Sequence, residues 1–362
     1  MKRILAVDGG GIRGVFALQI LLRMERMLQE EYGRKDLVLA DHFDFFAGAS
    51  TGAIIAACLC WGRGVQEILR MYVKHGKKMF EPVPWYRPLK RYGVSKYNAR
   101  PLSEMLKRLF SEDGEGQVPA LLGTERLRKL LMVVVRNHST GSPWPLTNNP
   151  KAKFADRSHP QCNLNIPLYQ LVRASTAAPV YFDPEPIRMG DQEYIFVDGS
   201  ITPYNNPALI AALTVILPCY NLNWETGPDK IRLISIGTMR FPSGLPERAR
   251  SLWVGYNASH IPAALIQAAA TEQDYLCRCL GECVFGEPLD REIGTMIDMP
   301  MPGQRLFSYV RYNQSYSKDE RDQLLARYPG LARLDAIHTI PVLRRMGRAY
   351  AEANVKREHL LD

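Results

Sequence analysis

The sequence predicts an α/β protein of three layers, in which helices cover both faces of a central, mostly parallel sheet. Three observations carry this expectation. Short apolar runs rich in β-branched residues end at glycines and lead into segments with apolar residues every three or four positions. That strand–turn–helix alternation builds parallel sheets. Of 362 residues, 46% are apolar and 23% charged, which suits a core needing no staples and excludes a disordered or fibrous chain. No internal repeat or low-complexity linker interrupts the chain, so residues 1–215 are expected to form the main core and residues 216–362 to complete the same domain.

The elements follow in order. Ile4–Val7 is a strand stopped by the glycines after Asp8, and Val15–Glu31 carries Leu18, Leu21, Leu22 and Leu28 at helical spacing. Phe43–Ala47 is a second strand, followed by GASTG and the apolar helix Ala53–Cys60. Pro101–Phe110 reads as a helix whose proline sits near its start, where no hydrogen bond is lost. Leu130–Val135 is a buried strand, and Ser142–Pro167 a long proline-rich loop. Leu168–Ala178 is a helix stopped by Pro179. Tyr194–Val197 and Ile231–Ile236 are strands, and Ala263–Cys283 and Ile340–Val355 are long helices.

The net charge of +9 is local. Arg70–Arg100 holds nine basic side chains against one acid, Glu81, which leaves the rest of the chain near neutrality and argues against DNA or RNA as a partner. The cations alternate with Tyr72, Phe80, Trp85, Tyr86, Tyr92 and Tyr97. Basic residues mixed with amphipathic aromatics suit an anionic membrane surface. Lys77, Lys78, Trp85, Lys90 and Arg91 are therefore the candidate membrane or anion contacts. A bound anionic nucleotide and a merely solvated basic face are the rival readings.

The seven cysteines lack paired CxxC spacing and predict small buried thiols in a reducing compartment, with neither a disulfide framework nor a metal site. The start, MKRILAVDGGG, has too few apolar residues for a secretory leader. The uncharged run Phe45–Trp61, 17 residues long, falls short of the roughly 20 needed to span a bilayer. A cytoplasmic chain without a membrane-spanning helix is expected.

Three motifs carry chemistry. Gly48-Ala49-Ser50-Thr51-Gly52 places a serine between glycines, after a strand and before a helix. Such a turn can present Oγ as a nucleophile at the strand's end, though a helix-capping serine uses the same residues. Asp8-Gly9-Gly10-Gly11-Ile12-Arg13-Gly14 exposes a row of backbone N–H groups suited to an anion, either a phosphate or a transient oxyanion. It also matches a dinucleotide fingerprint, but the acids at the required distance, Glu30 and Glu31, fall inside a helix. Asp198-Gly199-Ser200 ends a third strand. Ser50 needs a base, and the candidates are His260, His338, His359 or Asp198 itself. The last two histidines lie in a polar stretch and read as surface or packing residues, so Asp198 is better placed.

Together, DGGGIRG at the start, GASTG some 35 residues later and DGS far downstream resemble the patatin-like phospholipase family. RASTAAPVYF (173–182), VDGSITPYNNPA (197–208) and ISIGT (234–238) add to the likeness, which covers roughly residues 1–240. The resemblance implies a patatin-like fold and a lipid acyl hydrolase with a Ser50–Asp198 dyad and no catalytic histidine. It further implies an oxyanion hole from the amides of Gly9, Gly10 and Gly11, support from Arg13, Gly14, Gly48, Gly52 and Gly199, membrane phospholipid as substrate, and no cofactor. DGS departs from the family's usual DGG or DGA, and Ser200 adds a hydroxyl near the dyad. Residues 273–313 are similar to the carboxyl-terminal half of bacterial anti-phage (CBASS-type) members of the family. That likeness implies activation by a cyclic di- or trinucleotide, a regulatory role for residues 216–362, action at the inner face of the membrane, and room for a homo-oligomer. Two rivals stand beside it: a Ser-His-Asp esterase, and a non-catalytic module binding a nucleotide on the glycine loop.

Overall fold

The apolar runs pair into one sheet. A computed structural model of the chain describes residues 1–83, 95–241, 254–297, 299 and 301–361. Among these, nine strands are joined: β1 (Lys2–Val7), β2 (Phe45–Ala49), β3 (Leu130–Asn137), β4 (Ser142–Thr147), β5 (Glu185–Met189), β6 (Gln192–Asp198), β7 (Ile231–Ile236), β8 (Glu282–Phe285) and β9 (Ser308–Tyr312). Their order is β5-β6-β3-β2-β1-β7-β9-β8, with β4 also paired to β3. The central run from β3 through β2, β1, β7 and β9 to β8 is parallel, and β4, β5 and β6 pair antiparallel. Residues beyond 216 supply three of these strands, so the sheet runs through both parts of the chain.

The helices are α1 (Gly14–Glu31), α2 (Leu39–His42), α3 (Thr51–Cys60), α4 (Val65–Met79), α5 (Arg100–Leu109), α6 (Leu168–Ser175), α7 (Ala208–Ile216), α8 (Val254–Leu280), α9 (Lys318–Arg327) and α10 (Ile340–Asn354). Alternate strand residues point to opposite faces. Leu5, Val7, Phe46, Leu131 and Ile234 join one core with residues of α1, α3, α4 and α10, while Ile4, Ala6, Phe45, Met132 and Leu233 join a second with α7 and Cys277 of α8. Helices therefore cover both faces, and the fold class is α/β with three layers. Every residue of α3 is buried, as an apolar sequence without a polar stripe requires.

The differences from the sequence expectation have physical causes. The loop expected at Ser142–Pro167 opens with strand β4 despite Pro143 and Pro145, because β4 pairs on one side only and a missing N–H is tolerated at an edge. The helix expected to reach Cys283 stops at Leu280, and Cys283 lies in β8. Strand β9 is not evident from the sequence because Arg311 interrupts its apolar run. Helix α4 lies concealed in the basic window: Ile68, Leu69, Tyr72 and Met79 face the core while Lys74, Lys77 and Lys78 face out.

Candidate active site

Strand β3 brings the two distant motifs together. Strand β4 takes one edge of β3 along Met132–Asn137, so β2 and β6 must share the other. Ala49 pairs with Val134, and Asp198, arriving from the opposite direction, pairs with Val135. Ser50, the first residue past β2, therefore meets Asp198, the last residue of β6. Ser50 turns at φ 52° and ψ −126°, a conformation that L side chains rarely adopt and in which functional turns store strain. Its Oγ donates to Asp198 Oδ2 at 2.7 Å. Its amide donates to Ser175 Oγ at 2.9 Å, and the Ser175 hydroxyl donates to Val134 O at 2.6 Å, which ties the elbow to β3. Helix α3 begins at the next residue, so its positive end lies behind the hydroxyl.

Asp198 is 2% exposed. Burial pushes its carboxyl up to about 6, although the Ser200 amide (2.7 Å), the Ser50 hydroxyl and the Ser200 hydroxyl all favour the charged form. The serine that departs from the family pattern thus hydrogen-bonds the carboxylate through its amide, and its hydroxyl also favours the charged form.

The glycine loop closes over the same point. A Cβ on Gly9 would sit 2.4 Å from Asn205 Oδ1 and Ser200 Oγ and 3.1 Å from Ser50 Cβ, so only glycine lets the loop approach the elbow. The three expected anion donors are not equivalent. The Gly9 amide donates to Asn205 O at 3.1 Å and is already committed, whereas Gly10 and Gly11 donate to no backbone carbonyl among the described residues. The amides of Gly10 and Gly11 are thus the two of the three without a backbone acceptor among the described residues. Arg13 sends Nε toward Gly10 O (3.4 Å) and Nη1 toward Met239 O (3.5 Å). Asp8 opens the loop, and both of its carboxylate oxygens accept from buried Arg311 on β9, at 2.8 and 2.6 Å.

The remaining motif glycines mark close approaches of backbone to backbone or of helix to helix: Gly14 to Thr51, Gly48 to Gly52, and Gly199 to Val134 O. At Gly52 the fit is just as tight. A Cβ there would lie 2.1 Å from Val7 O, in the packed centre of the sheet. Gly52→Ala is expected to destabilise the chain by more than about 3 kcal/mol. A melting temperature equal to that of the parent chain would contradict this.

The histidine candidates lie elsewhere. His338 Nε2 pairs with Pro329 O, and buried His359 pairs its Nδ1 with the Tyr312 hydroxyl at 2.6 Å, where burial lowers its pKa to about 4. Neither touches Ser50 or Asp198, and the His260 side chain lies outside the described residues. Of the basic segment, Lys77 and Lys78 are exposed on the last turn of α4, while Trp85, Lys90 and Arg91, with Tyr86 and Tyr92, lie outside the described residues. Two aromatics expected at a membrane surface face inward. Tyr72 is buried with its hydroxyl on Thr51, beneath the elbow, and Tyr97 bonds Asp335, as Lys96 does. All seven cysteines are free, and burial pushes the Cys58 and Cys60 thiols up to about 12. Among the described residues no group of three His, Cys, Asp or Glu side chains could hold a metal, and no helix is long and apolar enough to cross a membrane.

Sequence reasoning missed Ser175 and Arg311. Ser175 lies within RASTAAPVYF, so its string is visible but its role requires contact with Ser50. The signal for Arg311 is a single cation inside SYVRY, a run of five buried residues.

Residues 5–212 match the family model of patatin-like phospholipase. The chain is 28% identical over 258 residues to the cGAMP-activated phospholipase of Escherichia coli, covering 70% of this chain and 67% of that protein. Its identity to the cGAMP-activated phospholipase of Vibrio cholerae is 27% over 246 residues (66% and 64%), and to patatin-like protein 1 of Arabidopsis thaliana 30% over 259 residues (65% and 58%). The matches thus span about three-fifths to two-thirds of these relatives' own lengths. With the family's motifs gathered around one elbow and more than half of its length matched, the chain belongs to the patatin-like phospholipase family.

Proposed function

We propose that the chain is a lipid acyl hydrolase of phospholipase A type, with Ser50 as nucleophile and Asp198 as its base. The observation that carries this reading is the 2.7 Å hydrogen bond from Ser50 Oγ to a buried Asp198 carboxylate, made by a serine held at positive φ. An ordinary aspartate is too weak a base for a hydroxyl. Burial raises its affinity for the proton, which brings it closer to the strength the step needs. Asp198 takes the proton as Oγ bonds the ester carbonyl carbon, and the carbonyl oxygen becomes an oxyanion facing the Gly10 and Gly11 amides. Donors so placed are each worth about 10²–10³ in rate. Collapse releases a lysolipid, whose oxygen receives the proton from Asp198, and leaves an acyl ester on Ser50. Water, deprotonated by Asp198, then attacks that ester and frees the fatty acid, and the departing Ser50 Oγ takes the proton back from Asp198. No metal or cofactor enters the scheme.

On the similarity to proteins named cGAMP-activated phospholipases, the reading extends to activation by a cyclic nucleotide, with residues 216–362 as the regulatory part. The test uses vesicles of a fluorogenic phospholipid, with and without cGAMP, and a fluorophosphonate probe. The parent chain is expected to hydrolyse the lipid faster with cGAMP and to be labelled on Ser50. Ser50→Ala is expected to lose labelling and at least about 10⁴-fold in rate. Labelling that persists in Ser50→Ala would defeat the nucleophile assignment, and equal rates with and without cGAMP would defeat the activation.

A further inference from the structure

Beside the glycine loop lies a cavity of about 480 Å³. The loop itself (Asp8, Gly9, Arg13) forms one wall, the segment Thr238–Phe241 after β7 a second, and helix α8 a third. Its charges do not cancel locally. Asp8 gives both oxygens to Arg311, Asp274 gives both to Arg278, and Asp322 pairs with Arg321. Two guanidiniums on the wall, Arg13 and Arg240, are left over. Their recorded partners are carbonyls: Gly10 O and Met239 O for Arg13, both at the outer limit of hydrogen bonding, and Leu289 O at 2.9 Å for Arg240. Neither has a carboxylate partner among the described residues. The Arg13 guanidinium also rests over the ring of Phe241, which is stacked on Tyr316.

We propose that this cavity binds a phosphodiester anion, held by Arg13 and Arg240. Partly buried guanidiniums without a directly bonded carboxylate are costly, and phosphate oxygens match their planar donor fork. A bare ion would leave most of the space empty, since the volume is on the order of fifteen waters at about 30 Å³ each. The ligand therefore brings organic groups, and the wall meets them with Ala263, Ile266 and Ala270 of α8. A second feature points the same way. Asn205, 8% exposed and on the same wall, keeps its Oδ1 buried without a donor. Burial lowers the pKa of both arginines, that of Arg13 to about 10, and the more distant carboxylates of Asp8 (for Arg13) and of Asp274 and Asp290 (for Arg240) offset this only in part.

Two sources share this chemistry, the headgroup of the lipid substrate and a soluble cyclic nucleotide. Either would bear on the reaction, because Arg13 is tethered to Gly10 O and the loop's Gly10 and Gly11 amides are the oxyanion donors. The proposal deepens the reading above. It is tested by binding to a chain lacking the Ser50 hydroxyl, so that its failure leaves the hydrolysis test untouched.

Titration calorimetry on Ser50→Ala uses three probes: cGAMP, dihexanoylphosphatidylglycerol below its micelle concentration, and neutral dihexanoylglycerol. At least one of the two phosphodiesters is expected to bind more tightly than the neutral lipid. Adding Arg240→Gln is expected to weaken that binding at least tenfold, and Arg240→Lys, which keeps the charge but not the fork, to weaken it less. Binding of cGAMP alone assigns the site to a soluble nucleotide, and binding of phosphatidylglycerol alone assigns it to the headgroup. No phosphodiester binding, or binding equally tight with and without Arg240→Gln, overturns the proposal. Circular dichroism melting of each variant separates loss of the site from loss of the fold.

Discussion

Replacing Asp198 by Asn is expected to lower ester hydrolysis by about 10⁴-fold while making the folded chain comparatively more stable as pH rises. Both effects come from one property, the burial that pushes the carboxyl up to about 6. The rate requires the carboxylate, so kcat/KM of the parent chain is expected to fall below pH 6 and to level off above it. Stability runs in the opposite direction. A carboxyl that holds its proton more tightly folded than unfolded stabilises the fold fully below the unfolded pKa, near 4, and loses that contribution as pH rises through 6. Two pKa units correspond to about 3 kcal/mol. The amide introduced by Asp198→Asn cannot ionise, so the melting temperature of the variant minus that of the parent should grow between pH 4 and pH 7. The rise in kcat/KM between pH 5 and 7 should disappear from the variant's residual activity. A parent-like pH profile in Asp198→Asn would mean that another group is the base, and a temperature difference independent of pH would mean that Asp198 is not held near 6.

The second large effect concerns the cation behind the glycine loop. Arg311→Met leaves Asp8, 4% exposed, with no donor on either oxygen among the described residues, and removes the nearby cation from Asp274 at 3.9 Å. Breaking a buried pair from one side costs about 3–5 kcal/mol, because the remaining charge stays desolvated. Urea unfolding is expected to show a loss of that size. Asp8→Asn combined with Arg311→Met should recover a large part of it, since the orphaned charge is then gone. A single variant within about 1 kcal/mol of the parent, or a double variant worse than the single, would show that the pair does not hold the loop. Activity should fall in the single variant as well, because Asp8 precedes the amides proposed to face the oxyanion.

Legibility followed the range of each interaction. Ser50, Asp198 and the glycine loop stand out because each is a strand end followed by residues that a tight turn demands, and those demands are local. Strand β4 is obscured for an equally local reason, since its two prolines argue against a strand until its position at an edge is known. Helix α4 looks like a charge run because its outward lysines are conspicuous and its inward Tyr72 resembles an interfacial aromatic. Gly9 resembles its neighbours as an amide donor until Asn205, distant in sequence, is seen to accept its hydrogen bond.

By itself the sequence determined the α/β class and the turn chemistry at three strand ends, because these depend on periodicity and on residues within a few positions of one another; the pairing of Ser50 with Asp198 was implied by the family resemblance. Tertiary structure alone decided that Ser50 and Asp198 meet. Strands β2 and β6 are forced onto the same edge of β3, and only that pairing buries the carboxylate enough to raise its pKa. It also decided which charges cancel. Asp8 and Arg311 find each other from opposite ends of the chain, while Arg13 and Arg240 are left facing a cavity with no carboxylate partner among the described residues. Coulomb energies and desolvation depend on distance in space, and spacing along the chain does not encode it.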